Sequence, residues 1–161
     1  AGHKSRRGVT DYAGGERMDD LAVFRGGALC RWLPPQARTV DEAVLLRRCW
    51  ALLALDRAGA ARLALLTRGP LCRTVLLPQG AALPLRTRQA VDYGLSPRCS
   101  LTLSGVSPRP VLCVQRGLTT ASGGVIEPQE LPLPRRWGRL PPEALLLTAG
   151  VWLLAEGSIP E

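Results

Sequence analysis

An alternating segment in the middle of the chain constrains the fold most. From Arg98 to Ser104, apolar and polar residues alternate without a break. A period of two residues is that of a β-strand with one buried and one exposed face. The segment Val111 to Gln115 begins with four consecutive apolar residues, which predicts a central strand covered on both faces. A bend at Ser107-Pro108 would let these two strands pair antiparallel.

The first helix is predicted from Thr39 to about Arg57. Thr39 is the predicted N-cap, and Glu42 stands three residues later, which completes a capping box. A wide apolar stripe that includes Trp50 follows, and Gly59 supplies a C-terminal stop. We therefore expect this helix, with Trp50 buried, to organise the core.

A second helix is predicted over residues 142–156. Proline at its first turn and Gly157 after its last turn are typical helix boundaries. Gly150 weakens the helical pattern and leaves a strand open as an alternative. The apolar run Ala144 to Ala155 is well short of the ~20 residues that a membrane-spanning helix needs.

The remaining pattern indicates short strands and loops. Residues 86–93 fit either a short helix or a strand edge, and the proline-rich segment 128–142 is expected to be extended and to lie on the surface. Further strands are predicted at 21–25 and 28–33, joined by a Gly26-Gly27 hairpin turn, and at 62–67, 71–77 and 125–127. The predicted fold class is α+β, with mainly antiparallel strands and two packed helices at about 39–57 and 142–156. Residues 1–19 are expected to form a flexible or extended segment before a single α+β domain over residues 20–161.

The charge of the chain favours anionic partners. Twenty arginines stand against one lysine, the formal net charge is +8 and the sequence pI is about 10.2. Asparagine is absent, which favours codon bias in a GC-rich gene as the explanation of the arginine excess. The alternative is selection for the guanidinium group, which binds carboxylate or phosphate bidentately. Only clustered arginines are therefore informative.

The sequence disfavours the common catalytic sites. Lys4 is the only lysine and His3 the only histidine, and both lie in the N-terminal segment. P-loop, kinase, Schiff-base and Ser-His-Asp chemistry each need one of these residue types in a built site. We therefore expect no enzyme activity, no cofactor and no metal.

The five cysteines leave two compartments open. Their odd number and the lack of a C-x-x-C motif favour reduced core cysteines in an intracellular protein. The competing interpretation is a secreted or virion protein with two disulfides and one spare thiol, for which Cys99 and Cys113 are the first pair to test. A nucleophilic role for Cys49 or Cys72, each near arginine, is disfavoured because both fall in apolar patterns.

The best candidate for partner binding lies in the proline-rich segment. Arg135, Arg136 and Arg139 surround Trp137, a combination that is frequent in interface hot spots. The competing interpretation is a surface connector whose tryptophan fills the core. We predict a non-catalytic interaction domain, or a subunit of a larger assembly, whose arginine-rich surface contacts an acidic partner. The alternative is direct binding of DNA or RNA through the phosphate backbone, although aromatic residues make up only 4% of the chain.

Overall fold

A computed structural model of the chain describes residues 21–24, 32–83 and 85–161. The flexible segment predicted at 1–19 and the hairpin turn at Gly26-Gly27 lie outside the described residues. The strand predicted at 21–25 is present as Leu21–Phe24. The described strands are β1 Leu21–Phe24, β2 Arg38–Thr39, β3 Cys49–Leu55, β4 Leu71–Pro78, β5 Gln89–Tyr93, β6 Leu101–Gly105, β7 Val111–Val114, β8 Leu118–Thr119, β9 Val125–Ile126 and β10 Gln129–Pro132.

The predicted mixture of helices and strands is confirmed, with an eight-stranded sheet at its centre. The strand order is β10-β7-β6-β5-β4-β3-β1-β2, and β8 pairs with β9 in a separate ribbon. Antiparallel pairing, which we expected to predominate, joins β6 to β7, β7 to β10 and β8 to β9. The pairings from β2 through β6 are parallel. Parallel strands are buried on both faces, so they lack the alternation that identifies a strand in a sequence.

The helix predicted from Thr39 to Arg57 is replaced by three elements. Helix α1 spans Glu42–Arg47, strand β3 follows at Cys49–Leu55, and helix α2 begins at Arg57 and ends at Leu63. Alanine and leucine in β3 favour a helix locally, but six of its seven residues are buried between β1 and β4. Burial in the sheet therefore overrides local propensity. The strand predicted at 62–67 is wrong for a related reason, since those residues end α2 and form the turn after it.

The alternating segment and the apolar run after it form the predicted antiparallel pair. Leu101 of β6 lies opposite Val114 of β7, and Leu103 lies opposite Leu112. Strand β7 is covered less completely than expected, because its residues alternate between buried and half-buried. The strand predicted at 71–77 is confirmed as β4, and the ambiguous segment 86–93 ends in strand β5.

Helix α3 spans Pro142–Glu156, as predicted, and packs on one face of the sheet. Gly157 adopts a left-handed conformation with φ of 80°, and its N–H donates to the Leu153 carbonyl at 2.8 Å. Gly150 continues the helix. A Cβ at this position would lie 2.7 Å from Leu76 Cδ2, so the glycine allows the close approach of helix and sheet. No helix among the described residues is long and apolar enough to cross a membrane.

The core consists of two layers separated by the sheet. Leu52 and Ala54 of β3 belong to the cluster beneath α3, while Leu53 and Leu55 belong to the cluster that contains residues of α1 and α2. Successive residues of a strand point to opposite faces, which explains this division. Trp50 is fully buried, as predicted, but it lies in a strand rather than a helix.

Candidate functional site

The predicted partner-binding segment folds as a short 3-10 helix over Arg135–Arg139. It is therefore less extended than expected, although β10 directly before it is a strand. The backbone N–H of Trp137 donates to the Pro134 carbonyl at 3.0 Å, and the backbone N–H of Leu140 donates to the Trp137 carbonyl at 2.9 Å. Leu133 and Trp137 are each 0% exposed and belong to the core cluster beneath α3. The segment is thus anchored at two points.

Trp137 is not available to a partner in this structure. Its side chain is buried, and its Nε1–H has no hydrogen-bond partner among the described residues. The core-filling interpretation of this tryptophan is therefore correct. Arg135, Arg136 and Arg139 are exposed, so the partner-binding hypothesis now concerns these three arginines alone.

Two of these arginines line a cleft of about 520 Å³, which we call the 3-10 cleft. Its walls are formed by Arg109, Arg135, Arg136, Ile159, Glu161 and three prolines. Arg109 Nε donates to the Leu133 carbonyl at 2.7 Å, and Arg136 Nη2 donates to the Glu161 carbonyl at 3.3 Å. Arg139 lies outside this lining. Three arginines and Glu161 therefore line one concave surface.

Arg109 was missed in the sequence because its neighbours are distant along the chain. It follows Pro108 in the loop between β6 and β7, and the pairing of β7 with β10 brings that loop to the start of the 3-10 helix. The Leu133 N–H donates to the Pro110 carbonyl at 2.9 Å, which continues the ladder. The bend predicted at Ser107-Pro108 places Arg109 between β6 and β7. The residues of β10, which pairs with β7, were predicted to form an extended surface segment, so this loop was not expected to lie beside the 3-10 helix.

The carboxyl ends of the parallel strands, where α/β sheets usually bind ligands, hold polar groups with structural tasks. Asp56 accepts from the Gly59 N–H at 2.6 Å and caps α2. Arg57 forms an ion pair with Glu143 at the start of α3, at 2.5 Å, and this hydrogen bond raises the pKa of Arg57. The Tyr93 hydroxyl donates to the Leu55 carbonyl at 2.8 Å, and burial raises its pKa. These contacts hold neighbouring elements together.

Cys72 and Cys99 show no features of a nucleophile. Burial raises the pKa of the Cys72 thiol to about 12, and burial also raises the pKa of Cys99. A thiolate is needed for attack, so both shifts oppose reactivity. Within the described part of the chain, Cys99 and Cys113 do not form the disulfide that we considered first. No group of three or more histidine, cysteine or acidic residues that could hold a metal ion occurs among the described residues.

Comparisons with protein-family models, with curated proteins and with solved structures found no match to this chain.

Proposed function

We propose that the protein is a non-catalytic interaction subunit that contacts an acidic partner protein through Arg135, Arg136 and Arg139. The observation that carries this proposal is the anchoring of the 3-10 helix by the buried side chains of Leu133 and Trp137. The backbone between the arginines is therefore ordered before a partner arrives. Less conformational entropy is then lost on binding than with a flexible loop.

The charge and shape of this surface support an acidic ligand. Arg109 adds a further guanidinium beside Arg135 and Arg136, and its Nε is held by the Leu133 carbonyl. Guanidinium groups bind carboxylates in a planar, bidentate geometry. A rigid surface can hold several such groups in fixed positions for the carboxylates of one partner. Proline side chains of the 3-10 cleft add apolar contact area beside the charges.

The placement of the aromatic residues favours a protein over single-stranded nucleic acid. Trp50, Tyr93 and Trp137 are buried, and Trp32 and Trp152 are half-buried. Proteins that bind single strands stack bases on exposed aromatic rings. No fully exposed aromatic side chain is found among the residues whose burial the structure describes. Binding of DNA or RNA remains the alternative, and the intracellular location remains a prediction.

The experiment compares two variants that remove the same charge. Arg135, Arg136 and Arg139 are replaced by serine in one, and the exposed Arg38, Arg88 and Arg98 in the other. Binding of a labelled polyglutamate peptide, and of single- and double-stranded oligonucleotides, is measured by fluorescence anisotropy over a range of salt concentrations. We expect the first variant to bind polyglutamate at least tenfold more weakly, about 1.4 kcal/mol, with a flatter salt dependence.

The controls separate this segment from net charge and from the fold. The second variant should keep most of its affinity, and both variants should melt close to the wild type because exposed charges contribute little to stability. Equal losses in both variants would contradict the proposal. A lowered melting temperature with unchanged binding in the first variant would make its arginines part of the fold. Tight binding of oligonucleotides without binding of polyglutamate would favour the alternative.

A further inference from the structure

A second group of arginines lines a cleft at the amino ends of the parallel strands. The volume of this cleft is about 330 Å³. Arg47, Arg48, Arg68 and Arg86 line it, together with Cys49 and Leu46 among others, and we call it the four-arginine cleft. It shares no lining residue with the 3-10 cleft.

Strand pairing brings these arginines together from three parts of the chain. Arg47 and Arg48 directly precede β3, Arg68 precedes β4, and Arg86 precedes β5. Cys49 lies opposite Leu71 in the parallel pair β3–β4, and Leu71 forms a bridge with Arg86. The amino ends of parallel strands meet at one edge of a sheet, so the side chains that precede them line one concave surface.

None of the nine described residues that line this cleft is acidic. The carboxylates close to it in sequence have other contacts. Asp41 accepts from the Val44 N–H at 2.9 Å, and Glu42 accepts from Arg62 Nη2 at 3.4 Å. The guanidinium groups of Arg47, Arg68 and Arg86 line one cavity and repel each other, and a bound anion would relieve that repulsion. Arg48 is also held in place, because its guanidinium lies 5.0 Å from the ring centre of the buried Trp50.

We propose that the four-arginine cleft binds a compact anion with two or more phosphoryl groups. Its volume is at the lower end of the range for small-molecule sites, which suits a diphosphate group better than a long polymer. Arginine binds phosphate oxygens bidentately, and Arg47, Arg68 and Arg86 supply the positive charge that such an anion needs. The ligand is free diphosphate or the diphosphate of a larger molecule such as a nucleotide. This inference does not depend on the proposed acidic partner.

The test uses pyrophosphate as the probe, with ADP and sulfate as comparisons, in isothermal titration calorimetry. We expect pyrophosphate to bind more tightly than sulfate, and the double variant Arg68→Ser with Arg86→Ser to bind it at least tenfold more weakly. The control variant, Arg88→Ser with Arg98→Ser, removes the same charge from exposed positions outside the cleft and should bind like the wild type. If ADP binds as well as pyrophosphate, the diphosphate of a larger molecule is the better description. If pyrophosphate binds more tightly than ADP, free diphosphate is the better description of the ligand.

A second measurement needs no variant. Cys49 lines the cleft and is half-buried, so a bound anion should slow its alkylation by iodoacetamide, a neutral reagent. Labelling of the Cys49 peptide is followed by mass spectrometry with and without pyrophosphate. The proposal is overturned if pyrophosphate neither binds nor protects Cys49, or if both double variants lose affinity equally. Duplex DNA that binds through Arg68 and Arg86 where pyrophosphate does not would also overturn it.

Discussion

Two fully buried tryptophans differ in how their indole N–H groups are satisfied. Trp50 Nε1 donates to the Leu45 carbonyl at 3.0 Å, which links β3 to helix α1. Trp137 Nε1 has no hydrogen-bond partner among the described residues, although its ring is equally buried. A buried donor without a partner costs about 1–3 kcal/mol, so Trp137 stabilises the fold through apolar contact while its N–H opposes that gain.

This difference predicts the order of two substitutions. Trp50→Phe removes a hydrogen bond, whereas Trp137→Phe removes an unsatisfied donor, and both reduce the volume of the core by the same amount. We expect Trp50→Phe to be the more destabilising by about 1 kcal/mol. Urea denaturation followed by far-UV circular dichroism measures both free energies of unfolding. A larger loss in Trp137→Phe would mean that its N–H has a partner in solution.

Asp92 predicts a dependence of stability on acidic pH. Burial alone would raise the pKa of Asp92, but hydrogen bonds from Ser100 N at 2.8 Å and Ser100 Oγ at 2.7 Å outweigh burial and lower it from its usual value. A carboxyl group with a lowered pKa in the folded state stabilises the fold above its unfolded pKa, and this contribution is lost as the pH falls through the folded value. Asp92→Asn should therefore be less stable than the wild type at pH 7.

The difference in stability between Asp92→Asn and the wild type should shrink as the pH falls below the unfolded pKa of Asp, about 3.9, and towards the lower folded pKa. Urea titrations at pH 7, 5, 4 and 3 measure it. Ser100→Ala removes one of the two donors to Asp92, so at pH 7 its free energy of unfolding should lie closer to the wild type than that of Asp92→Asn. This smaller difference from the wild type should also shrink as the pH falls. A gap that stays constant down to pH 3 would show that the charge of Asp92 does not contribute to stability.

At the scale of elements, the ends of α3 were predicted correctly, whereas those of α1 were not. The proline at the start of α3 and Gly157 after it mark the correct boundaries, because both act through local backbone geometry. The first helix was placed from Thr39, but Thr39 is in strand β2 and the N-cap is Asp41. Thr39 and Asp41 are both residue types that cap helices, and which of them does so depends on where the preceding strand ends.

The corrected cap gives a prediction at this scale. Asp41 Oδ1 accepts from the Val44 N–H at 2.9 Å, so Asp41→Ala should cost about 1 kcal/mol. Thr39 is exposed on a two-residue strand at the edge of the sheet, so Thr39→Ala should cost less than about 0.5 kcal/mol. Thermal and urea denaturation of the two variants provide the comparison. The reverse order would restore Thr39 as the cap.

How far the sequence predicts this protein depends on whether the relevant contacts are local. The pair β6–β7 was predicted because a short bend joins two strands, one of which has an exposed face. Strand β3 was not, because a strand buried on both faces shows no alternation and its Ala-Leu composition favours a helix. The same limit applies to the sites. Arg135, Arg136 and Arg139 lie within five consecutive residues, whereas the four-arginine cleft exists only once β3, β4 and β5 are aligned in parallel.

At the scale of the whole molecule, strand β3 joins the two halves of the core. Its Leu52 and Ala54 contact the cluster beneath α3, and its Leu53 and Leu55 contact the cluster beneath α1 and α2. If β3 left the sheet, buried residues of both clusters would therefore become exposed. Both proposed binding surfaces lie outside these clusters, so substitutions of their exposed arginines should leave the core intact.

The shared strand predicts that the two faces unfold together. Leu53→Ala removes a fully buried side chain from the α1/α2 face and should cost about 2–5 kcal/mol. If unfolding is cooperative, this loss should appear equally in the hydrogen-exchange protection of β4 and of α3, which packs on the opposite face. The control is Leu65→Ala, because Leu65 is 83% exposed and its loss should leave protection unchanged. Native-state hydrogen exchange with mass spectrometry resolves both elements. Protection of α3 that is unaffected by Leu53→Ala would show that the sheet does not couple the two halves of the core.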